Sequence, residues 1–360
     1  MEKSGKNGTI GLFSDTDRPR REERPLPLSS LTELAHAHRR RQRWLLLALL
    51  AALLLLALLS LLLGAFSWWP LDPMQQQVLL QLRLPRTLLA MLVGAALAMS
   101  GATLQILLHN PVAEPGLLGI SSGAGLCAML AMSLARLLGW DLPAWGLALA
   151  SFGGALAVTL LLTHLARRQR LDVARLLLLG IAVSMLANAA MTWLLYFSDD
   201  ASLREFMFWM MGSLAYGSGA LTGAMPLMLL ALLLLVRRAG RLELMQLGEA
   251  QARLMGLDVT RERTRLILLV CLLTALAVSL SGVIGFVGLL VPHLLRLCGA
   301  GAPRILLPAS ALGGAALLLG ADLLARHATT VGELPIGVVT ATLGAPLFIF
   351  LLVRHHADAR

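Results

Sequence analysis

The chain has 360 residues, of which 58% are hydrophobic and 14% charged, and its mean hydropathy is +0.77. Soluble domains carry roughly 25% charged residues, so an ordinary water-soluble globule is excluded and one membrane bundle with a tail is expected. Basic residues outnumber acidic ones by 30 to 20, yet the only lysines are Lys3 and Lys6. A phosphate-binding loop needs a lysine after its glycines, which excludes nucleotide hydrolysis by that chemistry. A basic excess spread over loops between apolar runs speaks for membrane orientation, so no nucleic acid partner is expected.

Residues 1–43 mix basic, acidic and Pro/Gly residues without sustained periodicity and read as a basic, mostly disordered cytoplasmic tail. The tail ends in Arg39, Arg40, Arg41 and Arg43, which should hold that side of the first span in the cytoplasm, against membrane lipid. Charge-free windows then follow at 44–71, 87–113, 115–135, 142–166, 176–198, 206–236, 266–295, 305–321 and 334–353. A spanning helix needs roughly 20 apolar residues. The window 266–295 holds Ser281-Gly282, Gly285 and Gly288 before Pro292, so it reads as a full helix and a shorter one. Phe206 to Leu214 reads as a short helix before the next span, with Trp209 at the interface.

The fold class is therefore all-α: a polytopic membrane protein of ten transmembrane helices, with short broken helices and both termini cytoplasmic. Residues 44–360 form the ten-helix domain. From Arg39 onward this topology puts nineteen arginines on the tail's side and five, Arg83, Arg86, Arg136, Arg204 and Arg326, on the other. The acids divide seven to seven over residues 44–360, as expected of a rule that counts basic residues only.

No carboxylate or arginine falls near the middle of a span, which lowers the reading of an autonomous secondary carrier, because such carriers usually bury ionisable groups for the coupling ion. Energy is then expected from a partner. The histidines His109, His293 and His327 lie at span ends without a ligand spacing, and Cys127, Cys271 and Cys298 are far apart, so no metal site, catalytic residue or cofactor is expected.

The loop 237–265 is the sizeable polar segment after the tail. Residues 245–257 read as a short amphipathic helix with Leu247, Ala250, Leu254 and Met255 on one side, ended by Gly256. Such a helix either rests on the bundle's own inner surface or docks into a cytoplasmic partner.

Five stretches, taken with this loop, are similar to one family. They are Arg83-Leu84-Pro85-Arg86; Ser100 to Gln105 running through Asn110-Pro111-Val112-Ala113-Glu114-Pro115-Gly116 to Ala124; Gly285-Phe286-Val287-Gly288 with Pro292-His293 and Arg296; Ala321-Asp322 to Arg326; and Glu333-Leu334-Pro335-Ile336-Gly337 to Ala341. The chain resembles the membrane permeases of binding-protein-dependent ABC importers for vitamin B12, ferric siderophores and haem. Residues 191–214 and 333–350 look most similar to the vitamin B12 members, with ferric siderophore or haem transport as the alternative.

The resemblance implies a bacterial inner-membrane homodimer with a path along its axis, two separate ATPase subunits on the cytoplasmic side and a periplasmic substrate-binding protein. It implies that Arg83, Arg86 and Arg326 meet acids of the binding protein. The residues by themselves also allow Arg83 and Arg86 to anchor a span and Arg326 to pair with Asp322. Asn110, Pro111 and Val112 match the family's inner gate, where the bland alternative is an ordinary turn. A second constriction falls on Val173 and Ala174, where this chain departs from the polar pair of the vitamin B12 permeases. Leu247, Gly248, Glu249, Ala252 and Gly256 match the loop that couples to the ATPase.

Overall fold

In the computed structural model of the protein, residues 28–63, 73–168, 173–215, 218–328 and 333–357 are described. Every regular element among them is helical. Met1–Arg41 and Gln42–Arg360 are separate compact units. Helix α1 (Leu28–Leu62) begins before the apolar span, within the last part of the segment expected to be a mostly disordered tail. Leu31, Glu33, Leu34, Ala35 and Ala37 are strong helix formers, and a helix nucleated by the span propagates outward at one hydrogen bond per added residue. The remainder of the tail, residues 1–27, lies outside the described residues.

Further along the chain come α2 (Pro73–Gln77), a π-helical turn (Val78–Arg83), α3 (Leu84–Leu107), a 3-10 turn (Pro115–Leu118), α4 (Ile120–Leu137), α5 (Ala144–Arg168) and α6 (Val173–Tyr196). Then follow α7 (Asp200–Met210), α8 (Ser218–Arg237), α9 (Ala239–Gln246), α10 (Glu249–Leu254), α11 (Val259–Ser281), α12 (Val287–Leu297), α13 (Pro303–His327) and α14 (Ile336–Ala357). The division of 266–295 into α11 and α12 follows from the glycines. Gly282 has φ +70°, open to a residue without Cβ, and Phe286 takes φ +67°.

The core of the Gln42–Arg360 unit forms around α3. Of its most apolar window 89% is buried, against 11% for α1. Small residues make this possible, because Gly94, Ala95, Ala98, Gly101 and Ala102 let backbones approach closely. A Cβ on Gly94 would strike the carbonyl of Gly314 in α13, and one on Gly101 the carbonyl of Gly288 in α12. The same device joins α4 to α5 at Gly123 and Gly154.

Among the described residues, seven helical stretches are long and apolar enough to cross a bilayer by themselves, with Pro73–Leu107 counted as one. The α8–α9 pair, bent by 46°, makes an eighth. The ten expected spans are therefore not all supported by length. Helix α12 has 11 residues, about 16 Å of rise, against a hydrocarbon core of about 30 Å. Its backbone at that depth is tolerable because protein covers it, and Val287 to Pro292 are buried. Trp209 is buried rather than interfacial, since it stacks on Phe206 with centroids 6.2 Å apart.

Candidate translocation and docking sites

At the end of the bundle where α3 begins, Asp322 of α13 is 1% exposed and receives two arginines. Arg86 of α3 donates to Asp322 Oδ1 from Nη2 at 2.8 Å and from Nε at 3.0 Å, and Arg326 Nη2 lies 2.9 Å from Oδ2. Arg86 also reaches Glu333 at 2.8 Å, and Arg326 donates to Ser60 of α1, itself bonded to Thr87. The side chains of Arg86 and Arg326 are thus only 15% and 14% exposed. Arg83 is used differently: its Nη1 donates to the carbonyls of Leu61 and Leu63, groups that the end of α1 leaves without helical donors. These arginines and Glu333 line a cavity of about 370 Å³ with Leu214 and His327. The geometry thus contains the Arg326–Asp322 pair that the residues alone left open, whereas Arg83 ties the end of α1.

At its other end α3 stops in a Schellman motif. The N–H of His109 donates to Ile106 O and that of Asn110 to Gln105 O, with His109 at φ +48° where glycine is usual. Asn110 Oδ1 accepts from the Val112 N–H at 3.0 Å, which tightens the turn before Pro115 opens the 3-10 segment. Asn110, Pro111 and Val112 therefore form one projecting turn, with Pro111 and Val112 exposed. Val173 and Ala174 begin α6, and their side chains lie outside the described ones.

Glu114, just past this turn, went unremarked as a site residue. Its Oε1 accepts from the N–H of Phe286 at 3.0 Å, at the start of α12. Burial raises the Glu114 carboxyl above the usual carboxylate range, and the hydrogen bond from Phe286 opposes this only in part. A carboxyl raised on folding opposes folding once ionised; the penalty is absent below the unfolded-state value and complete above the folded one. Glu114→Gln keeps an acceptor without the charge. It is expected to raise the unfolding midpoint at neutral pH, the difference vanishing in acid below the ordinary carboxyl range. A variant midpoint below that of the wild type at neutral pH would contradict this reading.

The loop 237–265 forms two helices, not one, separated at Gly248, which takes φ +103°. Met245 and Ala252 point inward, whereas Leu247, Leu254 and Met255 are exposed, Leu254 by 89%. Gly256, at φ +81°, occupies the left-handed position of a second Schellman motif, with its N–H on Arg253 O and that of Leu257 on Ala252 O. Glu249 holds Arg253 at 3.2 Å and also contacts Arg263. Sequence reasoning missed Glu262, a buried acid of α11 that meets Arg238 at 2.5 Å, Arg241 at 3.0 Å and Arg265 at 3.6 Å. The signal that could have found it was one acid in the basic run Arg261 to Arg265.

These features sit within a chain whose relatives are known. The profile of the FecCD transport family matches residues 45–354. The vitamin B12 import system permease protein BtuC of Pectobacterium atrosepticum is 48% identical over 334 residues, covering 92% of this chain and 99% of the relative. The protein of the same name from Vibrio cholerae is 48% identical over 328 residues, covering 90% and 97%. A solved structure described as a metal-chelate type ABC transporter in an inward-facing conformation aligns with TM-score 0.78 at 34% identity, covering 86% of this chain and 98% of that one. A profile spanning nearly all of the bundle, joined by near-half identity over almost the full length of the relatives, means that the chain belongs to the FecCD transport family.

Proposed function

We propose that the chain is the membrane permease of a vitamin B12 importer in the bacterial inner membrane, a transport subunit that moves its cargo while separate ATPase subunits hydrolyse ATP. The observation that carries this is 48% identity to a vitamin B12 permease over 92% of the chain. In this reading residues 44–360 are the permease domain, with ten membrane helices and both termini cytoplasmic; α12 and α14 complete the ten as short or partly covered spans. Two copies enclose a path along their common axis. Asn110, Pro111 and Val112 form the inner gate, with Val173 and Ala174 at a second constriction.

The loop 237–265 meets the ATPase, and α10 is the contact. Leu247, Leu254 and Met255 expose apolar surface in a polar segment, where a protein partner gives that surface a place to be buried. Leu247, Gly248, Glu249, Ala252 and Gly256 shape the knob: the glycines set its ends, Ala252 seats it and Glu249 braces it against Arg263. On the outer side Arg83, Arg86 and Arg326 receive acidic side chains of a substrate-binding protein. Arg86 and Arg326 do so after exchanging an internal carboxylate for an external one.

Reconstitution in liposomes with labelled vitamin B12 tests this. Uptake is expected to require the ATPase subunits and ATP and to persist when proton and sodium gradients are collapsed. Leu254→Asp is expected to abolish it with the bundle's thermal stability unchanged. Uphill uptake by the chain alone, or uptake indifferent to Leu254→Asp, would overturn the reading; a preference for ferric chelates or haem would reassign the cargo.

A further inference from the structure

Helix α12 is fastened to the end of α3 and its following turn at three levels. At its first turn, Glu114 accepts from the N–H of Phe286. In its middle, Pro292 has no N–H, so the carbonyl of Gly288 four residues earlier loses its helical donor. Gln105 supplies the substitute: its Nε2 lies 3.3 Å from Gly288 O and 3.3 Å from Leu289 O. At the last turn, Arg296 donates to Gln105 Oε1, so one amide serves both groups. Acid at the N-terminus and base at the C-terminus also match the helix dipole. Between these points Gly101 and Gly288 touch through their backbones, which leaves the fastened segments no slack.

On its other side α12 packs on α13, where Val291 lies against Gly313, and meets α14 through the His293–Phe348 ring contact, centroids 6.0 Å apart. It is cut from α11 by the break at Gly282–Phe286, whose two end residues both take positive φ. Both are positions at an element boundary where the backbone changes direction, as hinges are, although Gly282 lies against the Trp209 carbonyl and Phe286 against Gly344.

We propose that Gln105 and Glu114 are positioning residues which make α12 and residues 105–114 one rigid body, so that displacement of α12 about the 282–286 break carries the Asn110–Val112 turn with it. The turn is driven by α12, not by the α4 helix that follows it in the chain. The consequence for transport rests on the permease reading above, but the fastening itself does not.

Spin labels at Val112→Cys and Leu297→Cys test it, with Cys127 and Cys298 replaced by Ser and the buried Cys271 kept. Both labelled positions are exposed. In the full complex cycled through nucleotide states, the 112–297 distance is expected to stay fixed while the distance from Val112→Cys to a label at Leu134→Cys on α4 changes. A varying 112–297 distance, or a 112–134 distance fixed in every state, would overturn the proposal.

In the chain alone, without ATPase or cargo, Glu114→Ala and Gln105→Leu are each expected to broaden the 112–297 distribution, and Glu114→Gln, which keeps an acceptor, to restore it. Unchanged distributions in the Ala and Leu variants would sink the fastening whatever the protein transports. Absence of ATP-driven uptake with these distributions behaving as expected would instead remove only the permease reading. If Glu114→Ala does not accumulate, Gln105→Leu and Glu114→Gln carry the same decision.

Discussion

Asp322→Ala is expected to destabilise the folded protein by about 3–5 kcal/mol, because it leaves Arg86 and Arg326 partly buried without their shared counter-charge. The carboxylate is 1% exposed, so solvent screens the pairs weakly, and Arg86 loses its charge-assisted hydrogen bonds while Arg326 loses its ion pair. Loss of the acid also loosens Ser60, Thr87 and Glu333, which tie α1 and the segment before α14 to the same cluster. The measurement is thermal unfolding in detergent, read by a dye that reacts with the fully buried Cys271 thiol as it becomes exposed. Replacing the whole set, Arg86→Met, Asp322→Leu and Arg326→Met together, is expected to recover most of the loss, since a buried ion cluster and a packed apolar one are often similar in stability. A single-variant loss of about 1 kcal/mol or less, the size of an exposed pair, would show that water screens this cluster after all.

Gly94→Leu is expected to prevent assembly of the bundle. A Cβ alone at Gly94 would collide with the Gly314 carbonyl and sit 2.9 Å from Leu318 Cβ. Backbone cannot swing aside as a side chain does, so α3 and α13 must separate along the central packing surface. Overpacking where side chains can yield costs about 1–3 kcal/mol, and here the whole helix has to move. Folded, monodisperse protein recovered from membranes is the readout, and near-complete loss is expected. Gly153→Leu is the control: nothing lies within 4 Å of a Cβ there, so its yield should match the wild type. Equal loss from both substitutions would mean that leucine harms these helices for a reason other than the α3–α13 contact.

Much of the helical order was legible because charge is costly in hydrocarbon, so charged residues mark where spans end. The break before α12 was legible for a related reason: Gly282 and Pro292 are locally incompatible with one continuous helix whatever surrounds them. The helical start at Leu28 was not, since weak helix formation there depends on a neighbouring span to nucleate it. Which surface the apolar side of residues 245–257 meets was not legible: periodicity puts Leu247, Ala250, Leu254 and Met255 on one side, and only the structure shows that this side is exposed.

The amino-acid sequence by itself determined that this is a helical membrane protein lacking the lysine of a phosphate-binding loop, where most apolar runs begin and end, and which family it resembles. These properties follow from composition, from the cost of charge in lipid and from local backbone preferences, all of which act over a few residues. Only the tertiary structure decided that Arg86 and Arg326 converge on Asp322, that Glu262 gathers three arginines, and that Gln105 takes the place of the donor missing at Pro292. In each case at least one partner comes from a different helix and is brought close by packing. Burial then fixes the pairing, because a polar group taken out of water must find its partner inside the protein.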